Sequence, residues 1–332
     1  MHRPRRWFAA ACAVVAVTAA ACGGSSGKSG GTSGPATDLV SAIKTLGSSQ
    51  TLTTTVRLDA TATALQTLAH AGNADISAAD AGAITHASIV IEKSTGGTVD
   101  LRVADGSKTL IELRSVGGSL YLQGDVRGIL SLFHKSKLFA NIRAETKSMP
   151  SFVHAAIEGR WVSLPAAALS SLTQLSGGST ASGSSANGVK LLNELGDAIK
   201  RDVSVASAGT DTRGHHYVLT GDEAALANDI RATVTDSVPG GGFLGQRLPS
   251  TSVKHRTLHV DAWTKGGALS SLSLDLTQFG DPGTVPAGTT LPLTFTFEQS
   301  GAPITAPSGA VPVDLTQLGT LFGALTGGGG SA

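Results

Sequence analysis

Cys22 is the residue whose type and setting most clearly announce chemistry. Met1-His-Arg-Pro-Arg-Arg6 is basic, residues 7–21 are an unbroken apolar and small run, and Ala19-Ala20-Ala21 precedes the cysteine. A positive n-region, a short h-region and a small-residue cleavage site make a secretory signal. A Cys directly after such a site accepts a diacylglycerol on its thiol and, after cleavage, becomes the acylated N-terminus. Ala9-Ala10-Ala11-Cys12 repeats the string, but the apolar run before it is too short for an h-region. Cys22 is followed by Gly23-Gly-Ser-Ser-Gly27, a tether, whereas Cys12 is followed by more h-region. Arg5-Arg6-Trp7-Phe8 also fits part of a twin-arginine signal, which leaves two export routes open.

Other reactive-looking strings lack the context their chemistry needs. Gly23-Gly-Ser-Ser-Gly27 has the nucleophile-elbow spacing but no strand before it. Gly240-Gly-Gly-Phe-Leu-Gly245 has dinucleotide-fingerprint spacing, yet Pro239 precedes it, and Gln246 stands where a phosphate loop requires Lys. His215-His216 and His255-Arg-Thr-Leu-His259 are the suggestive ligand pairs. The second lies in strand-like sequence, where four residues at about 3.3 Å each separate the imidazoles by about 13 Å. No Cys or clustered carboxylate completes a site. The expectation is a chain with no catalytic residues, no metal and no cofactor.

The two cysteines leave no internal disulfide, since Cys12 departs with the leader and Cys22 carries lipid. Cleavage also removes Arg3, Arg5 and Arg6, taking the 25 basic residues to 22 against 24 acidic ones. That balance excludes a nucleic-acid partner. No second apolar run reaches the ~18 residues of a spanning helix, so lipid is the expected anchor. Aromatic residues are 4% and glycines number 42. Coding bias explains that composition, and so does an aliphatic interior suited to acyl chains.

The elements that must position a site follow from periodicity. Residues 23–35 read as a flexible spacer. A helix is predicted next, with Thr37 or Asp38 as cap, Leu39, Ile43 and Leu46 on one stripe, and Gly47 as its stop. The period then changes to two: Leu52, Val56 and Leu58 alternate with Thr53, Thr55, Arg57 and Asp59. The same alternation recurs in Ile89 and Ile91; Val99, Leu101 and Val103; Ile111 and Leu113; Leu120 and Leu122. It returns in Leu258 and Val260; Leu272, Leu274 and Leu276; Leu293, Phe295 and Phe297. Gly96-Gly97, Asp105-Gly106, Gly117-Gly118 and Gly266-Gly267 mark hairpin turns. The prediction is an α+β fold around an antiparallel sheet with one apolar face. Further helices are expected at residues 189–200, after Asp222 through Leu226, Ile230 and Val234, and at 314–325 with Leu315, Leu318, Phe322 and Leu325 aligned.

Two softer features accompany these. Phe243 and Leu244 sit in a Gly-rich loop ending at Pro249, which either packs back on the core or forms a lip at a cavity mouth. Around residues 127–160, Lys135, Lys137, Arg143 and Lys147 outnumber the acidic Asp125, Glu145 and Glu158. That stretch is a solvated helical face or a contact for anionic head groups.

Several segments resemble LolA-like lipoproteins. They are Gly118-Ser-Leu-Tyr-Leu-Gln-Gly-Asp125, Glu158-Gly-Arg-Trp-Val-Ser-Leu-Pro165, the hairpin from His259 to Asp275, and Pro303-Ile-Thr-Ala-Pro-Ser-Gly-Ala-Val-Pro312. The chain is most similar to the actinobacterial lipid carriers of the LppX/LprG type. That resemblance implies a sheet curled into a half-barrel with helices closing a hydrophobic cavity for acyl chains. It carries over Cys22 alone as a functional residue.

The sequence therefore predicts a lipoprotein signal at 1–21, a tether at 22–36, a single lipid-binding domain at 37–326 with a flexible insertion at 176–188, and a tail at 327–332. The expected cavity lining is Val56, Leu58, Leu101, Val103, Ile111, Leu113, Leu120, Leu122, Leu272, Leu274, Leu276 and Phe295, with Phe243 and Leu244 at the mouth. The expected location is the extracytoplasmic face of the cell membrane. Expected partners are that membrane, an envelope lipid or acylated ligand, and a membrane transporter. The expected function is binding and transfer of acyl chains; the alternative is a scaffold or sensor lipoprotein acting through a membrane protein.

Overall fold

The computed structural model describes residues 34–317 except 72–73, 133, 147–148, 166–200, 226–255 and 281–282. In chain order, α1 (Pro35–Gly47), β1 (Leu52–Leu58), α2 (Ala62–Ala71), α3 (Ala78–His86) and β2 (Ala87–Ser94) come first. Then follow β3 (Thr98–Asp105), β4 (Lys108–Val116), β5 (Ser119–Gly124), α4 (Val126–Leu132), α5 (Leu138–Glu145), α6 (Ser151–Ile157) and β6 (Val162–Leu164). The later strands are β7 (Val203–Asp211), β8 (Gly214–Asp222), β9 (Thr257–Lys265), β10 (Ala268–Asp275), β11 (Pro292–Glu298) and β12 (Val311–Pro312). The fold is α+β, as the sequence predicts. It divides into two compact units, one of residues up to 95 with 181–301, the other of 96–180 with 302 onward.

The first unit is a seven-strand antiparallel sheet in the order β2-β1-β11-β10-β9-β8-β7. Register aligns the even residues of β1 with the odd residues of β11: Val56 faces Phe295 and Leu58 faces Leu293. On the next strand Leu272 pairs with Phe295. These apolar faces pack with α1, whose Leu39 and Leu46 join Val56, Leu219, Ala262, Phe295 and Phe297 in one core. Burial is nearly complete, with Leu39 at 0% and Phe295 at 1% exposure.

Helix α1 departs from the predicted cap. Gly34 is the N-cap and Pro35 opens the helix, with no side-chain cap bond. Proline loses nothing at that position, because its missing N–H would be unpaired there anyway. Helix α2 has only Leu65 and Leu68 on one side and α3 only Ile84 among small residues, and neither is among the expected helices. Ser77 nevertheless caps α3 by accepting from the Asp80 N–H, a signal present in the string Ser77-Ala-Ala-Asp80. Strand β7 lacks the apolar alternation, which Ala206, Ser207, Ala208 and Gly209 break; β8, whose Tyr217 and Leu219 alternate on the buried side, is likewise not among the expected strands.

The second unit is a five-strand sheet in the order β12-β6-β5-β4-β3. All its pairs are antiparallel except β6 with β12. Its tight hairpins turn where the glycines predict; Gly117 and Gly118 take φ of 59° and 77°, which a side chain disfavours. The predicted helix after Asp222 is described only as far as residue 225, where Asp222 Oδ1 accepts from the Ala225 N–H. The predicted helix at 189–200 and the insertion at 176–188 lie outside the described residues.

Candidate functional site

The five-strand sheet carries the feature that most demands a function. Its register places Val311, Val162, Leu122, Leu113 and Leu101 in one row across all five strands. A second row, Val103 with Ile111, and a third, Leu120 with Leu164, flank it on the same face. Helix α6 covers one end of this face, setting Phe152 and Ala155 on Val162 beside Val311 and Val313. The remainder joins no core cluster of the described residues. Leu122 is 42% exposed and Ile111 37%, and Leu101, Val103, Leu113 and Leu120 are half-buried. None of these six belongs to a hydrophobic core cluster of the described residues.

The opposite face of the same sheet is charged, and it is the covered one. Asp100 is 3% exposed and Glu112 8%. Asp100 is paired in register with Arg114, and Glu112 with Arg102. Arg114 donates from Nε to Glu112 Oε1 at 2.9 Å and lies 3.3 Å from Asp100 Oδ2. Its guanidinium rests 4.9 Å from the Trp161 ring centroid, and Nη1 donates to the Thr305 carbonyl at 3.3 Å. Asp100 Oδ1 is buried and has no hydrogen-bond partner among the described residues. Burial chiefly, then the adjacent Glu112, pushes the Asp100 carboxyl up to about 6, against the pull of Arg102 and Arg114.

A sheet in water normally exposes its polar face and buries its apolar one. Here the pattern is inverted. Apolar surface left in water costs about 25 cal/mol per Å², and buried carboxylates carry a desolvation cost of their own. Such an arrangement is expected where the apolar face meets something other than water.

The residues named for a cavity therefore divide into two groups. Val56 and Phe295 lie in the packed core of the seven-strand unit, with Leu272 and Leu276 packed against it. Leu274 pairs with Leu293 on that same face and is half-buried. Leu58 borders an open cleft of about 710 Å³ whose walls combine Ala60, Ala64 and Gly288 with Asp59 and six threonines, among them Thr61, Thr63 and Thr289. Hydroxyls line that cleft, so it is unlike an acyl-chain site. Leu101, Val103, Ile111, Leu113, Leu120 and Leu122 are the group that the fold gathers on the aliphatic face. Cys22, Phe243 and Leu244 lie outside the described residues.

The histidines are engaged in structural contacts. His216 stacks on Trp263 at 4.6 Å and bonds Asp261 through Nε2 at 2.7 Å. His215 bonds the hydroxyls of Ser207 and Thr210, and His259 that of Thr220. His255 is outside the described residues. Among the described residues no three His, Cys, Asp or Glu side chains converge as metal ligands. In the basic stretch, Arg143 and Arg160 both approach Glu158, at 3.6 and 3.5 Å, while Lys135 and Lys137 are exposed. Lys147 is outside the described residues.

No protein-family model and no curated protein sequence matches the chain. Among solved structures, LprF from Mycobacterium bovis is 12% identical with a TM-score of 0.35, over 83% of this chain and 97% of that one. The Mycobacterium tuberculosis lipoprotein LppX is 9% identical with a TM-score of 0.34, over 82% of this chain and 97% of its own. The chain is thus similar, along most of its length and at very low identity, to LppX and LprF.

Proposed function

We propose that this chain is an extracytoplasmic lipoprotein, anchored through acylated Cys22, that holds acyl chains of an envelope lipid or acylated ligand for transfer. The observation that carries this reading is the inverted burial of the five-strand sheet. Ile111 and Leu122 are exposed and four aliphatic neighbours only half-buried on one face, while Asp100 and Glu112 are buried on the other. Alkyl chains are the natural complement of such a face: they present no polar group to satisfy, and each buried CH₂ contributes about 0.8 kcal/mol. The packed core under α1 supplies rigidity and needs no ligand. No helix of the described residues is long and apolar enough to cross a membrane, which is consistent with attachment by lipid. The reading assigns no reaction, cofactor or metal to the chain. Its partners are the membrane, the acylated ligand, and a membrane transporter that delivers or receives it.

The test is native mass spectrometry of the detergent-extracted mature chain, followed by organic extraction and titration with a fluorescent fatty acid. Co-purifying lipid and saturable uptake that Leu113→Asp abolishes are the expected results. A chain that yields no lipid and takes up no fatty acid would leave the aliphatic face to a protein partner, as in a scaffold or sensor lipoprotein.

A further inference from the structure

We propose that the turn between α4 and α5 is a membrane-docking surface, where Lys135 and Lys137 meet anionic lipid head groups and Leu138 enters between them. The supply of membrane rests on the lipoprotein reading; the surface itself does not. Its charge is local. Residues 126–144 hold Arg127, Lys135, Lys137 and Arg143 and no Asp or Glu, in a chain whose expected mature form is acidic overall. Arg143 lies 3.6 Å from Glu158, and Arg127 acts on the Asp125 carboxyl. Lys135 and Lys137 are exposed and form no ion pair among the described residues.

The turn also gives up local stability twice. His134 follows α4 at a φ of 56°, the only positive φ of a non-glycine among the described residues. Its N–H donates to the Ser131 carbonyl at 3.0 Å, and the Lys135 N–H to that of Leu130 at 2.7 Å. That helix ending ordinarily takes glycine. Lys137 is then the N-cap of α5, with no side-chain cap bond. An ammonium cannot accept from first-turn N–H groups, and its charge has the wrong sign for a helix N-terminus. Helix α5 buries none of its residues, and Leu138 at its start is 44% exposed. Unpaired lysines beside an exposed leucine are the makings of an interfacial contact: the cations are drawn to the anionic surface and the aliphatic tip leaves water. An acyl anchor at Cys22 would keep Gly34, twelve residues on, within about 40 Å of the bilayer. A contact too weak to recruit a free protein is then enough to orient a tethered one.

Site-directed labelling of the acylated mature chain in vesicles tests the docking. Leu138→Cys carries an environment-sensitive NBD probe; Ala140→Cys, on the other side of α5, is the control, and the unmutated chain reports any labelling at Cys22. In vesicles of phosphatidylglycerol and phosphatidylcholine in equal parts, the probe at 138 should be about twofold brighter, or more, than in pure phosphatidylcholine. The probe at 140 should change little. Lys135→Gln with Lys137→Gln should remove most of the gain at 138, and so should about 1 M salt, which cuts electrostatic reach to about 3 Å. Equal brightness at 138 in the two lipids overturns the docking, and so does a gain that survives the double lysine substitution. Equal gains at 138 and 140 also overturn it, because burial would then have no preferred side. Flotation with pure phosphatidylcholine vesicles scores the anchor separately. A chain that fails to float counts against acylation of Cys22, and the 138 probe on anionic vesicles then decides the docking by itself.

Discussion

Leu122 and Asp100 stand on opposite faces of one five-strand sheet, and it is the aspartate that is buried: 3% exposed against 42% for the leucine. The cross-strand rows that contain them explain why both faces persist. Leu122, Leu113 and Leu101 are direct neighbours on one side, and Asp100, Arg114, Arg102 and Glu112 are direct neighbours on the other. Aliphatic pairs on one side and opposite-charge pairs on the other each stabilise the sheet whichever side meets water. The Trp161 ring and the Thr305 carbonyl take part in covering the charged side, and Ile111 and Leu122 on the aliphatic side remain exposed.

The two groups of aliphatic residues should respond differently to truncation. Phe295→Ala removes a ring from a filled core and is expected to cost about 3–5 kcal/mol. Leu122→Ala, on a surface already 42% exposed, should cost under about 1 kcal/mol while weakening fatty-acid uptake several-fold. Urea melts and a fluorescent-lipid titration on both variants make the comparison. A Leu122→Ala protein as unstable as Phe295→Ala would mean that this face is core.

Asp100 gives a pH signature with a definite sign. Its carboxyl is raised from 3.8 to about 6, so the folded chain binds this proton more tightly than the unfolded chain does. Its contribution to stability is therefore greatest below about pH 4, declines as pH rises to about 6, and is level above that. The groups facing it are Glu112, Arg102 and Arg114, with Trp161 stacked on Arg114. Asp100→Asn should flatten the decline between pH 4 and 6 in chemical-denaturation measurements. Asp125, held low chiefly by its bond to Lys108, acts in the opposite sense and only as pH falls toward and below its ordinary 3.8. An unchanged pH profile in the Asp100→Asn variant would refute the assignment.

The anchor is tested at its two candidate thiols. Cys22→Ser should move the protein from the detergent phase to the aqueous phase, whereas Cys12→Ser should leave it with the detergent. Phase partitioning of both variants measures this. Retention of the Cys22→Ser protein in the detergent phase would be incompatible with acylation at Cys22.

Gly214 begins β8 at a φ of +131°, and a Cβ there would meet the Thr264 carbonyl oxygen. Gly214→Ala should therefore cost about 2 kcal/mol or more in a thermal or urea melt. Gly34→Ala, where a Cβ meets nothing and φ is −89°, is the matched control and should change stability by less than half as much. Equal effects would mean that the close approach to Thr264 is relieved in solution.

The expected leader and its Cys22 rest on linear signals, contained within about twenty residues. Period-two alternation located β1, β2, β3, β4, β5, β9, β10 and β11, and paired glycines located their turns, because pleat and positive φ are properties of a few consecutive residues. Helix α3 and strand β7 escape such a reading, because small residues carry little hydrophobic contrast and their state is fixed by what they pair with or pack on.

Alternation also established that Val56 and Leu122 each belong to an apolar face, but it treated them alike. Tertiary structure separated them. Val56 lies in the core that α1 joins, while Leu122 lies on a face whose reverse side, with Asp100 and Glu112, is the covered one. Periodicity defines two sides of a strand from its own residues. Which side is removed from water depends on segments distant in the chain that pack against it, and that is decided only when the whole chain has folded.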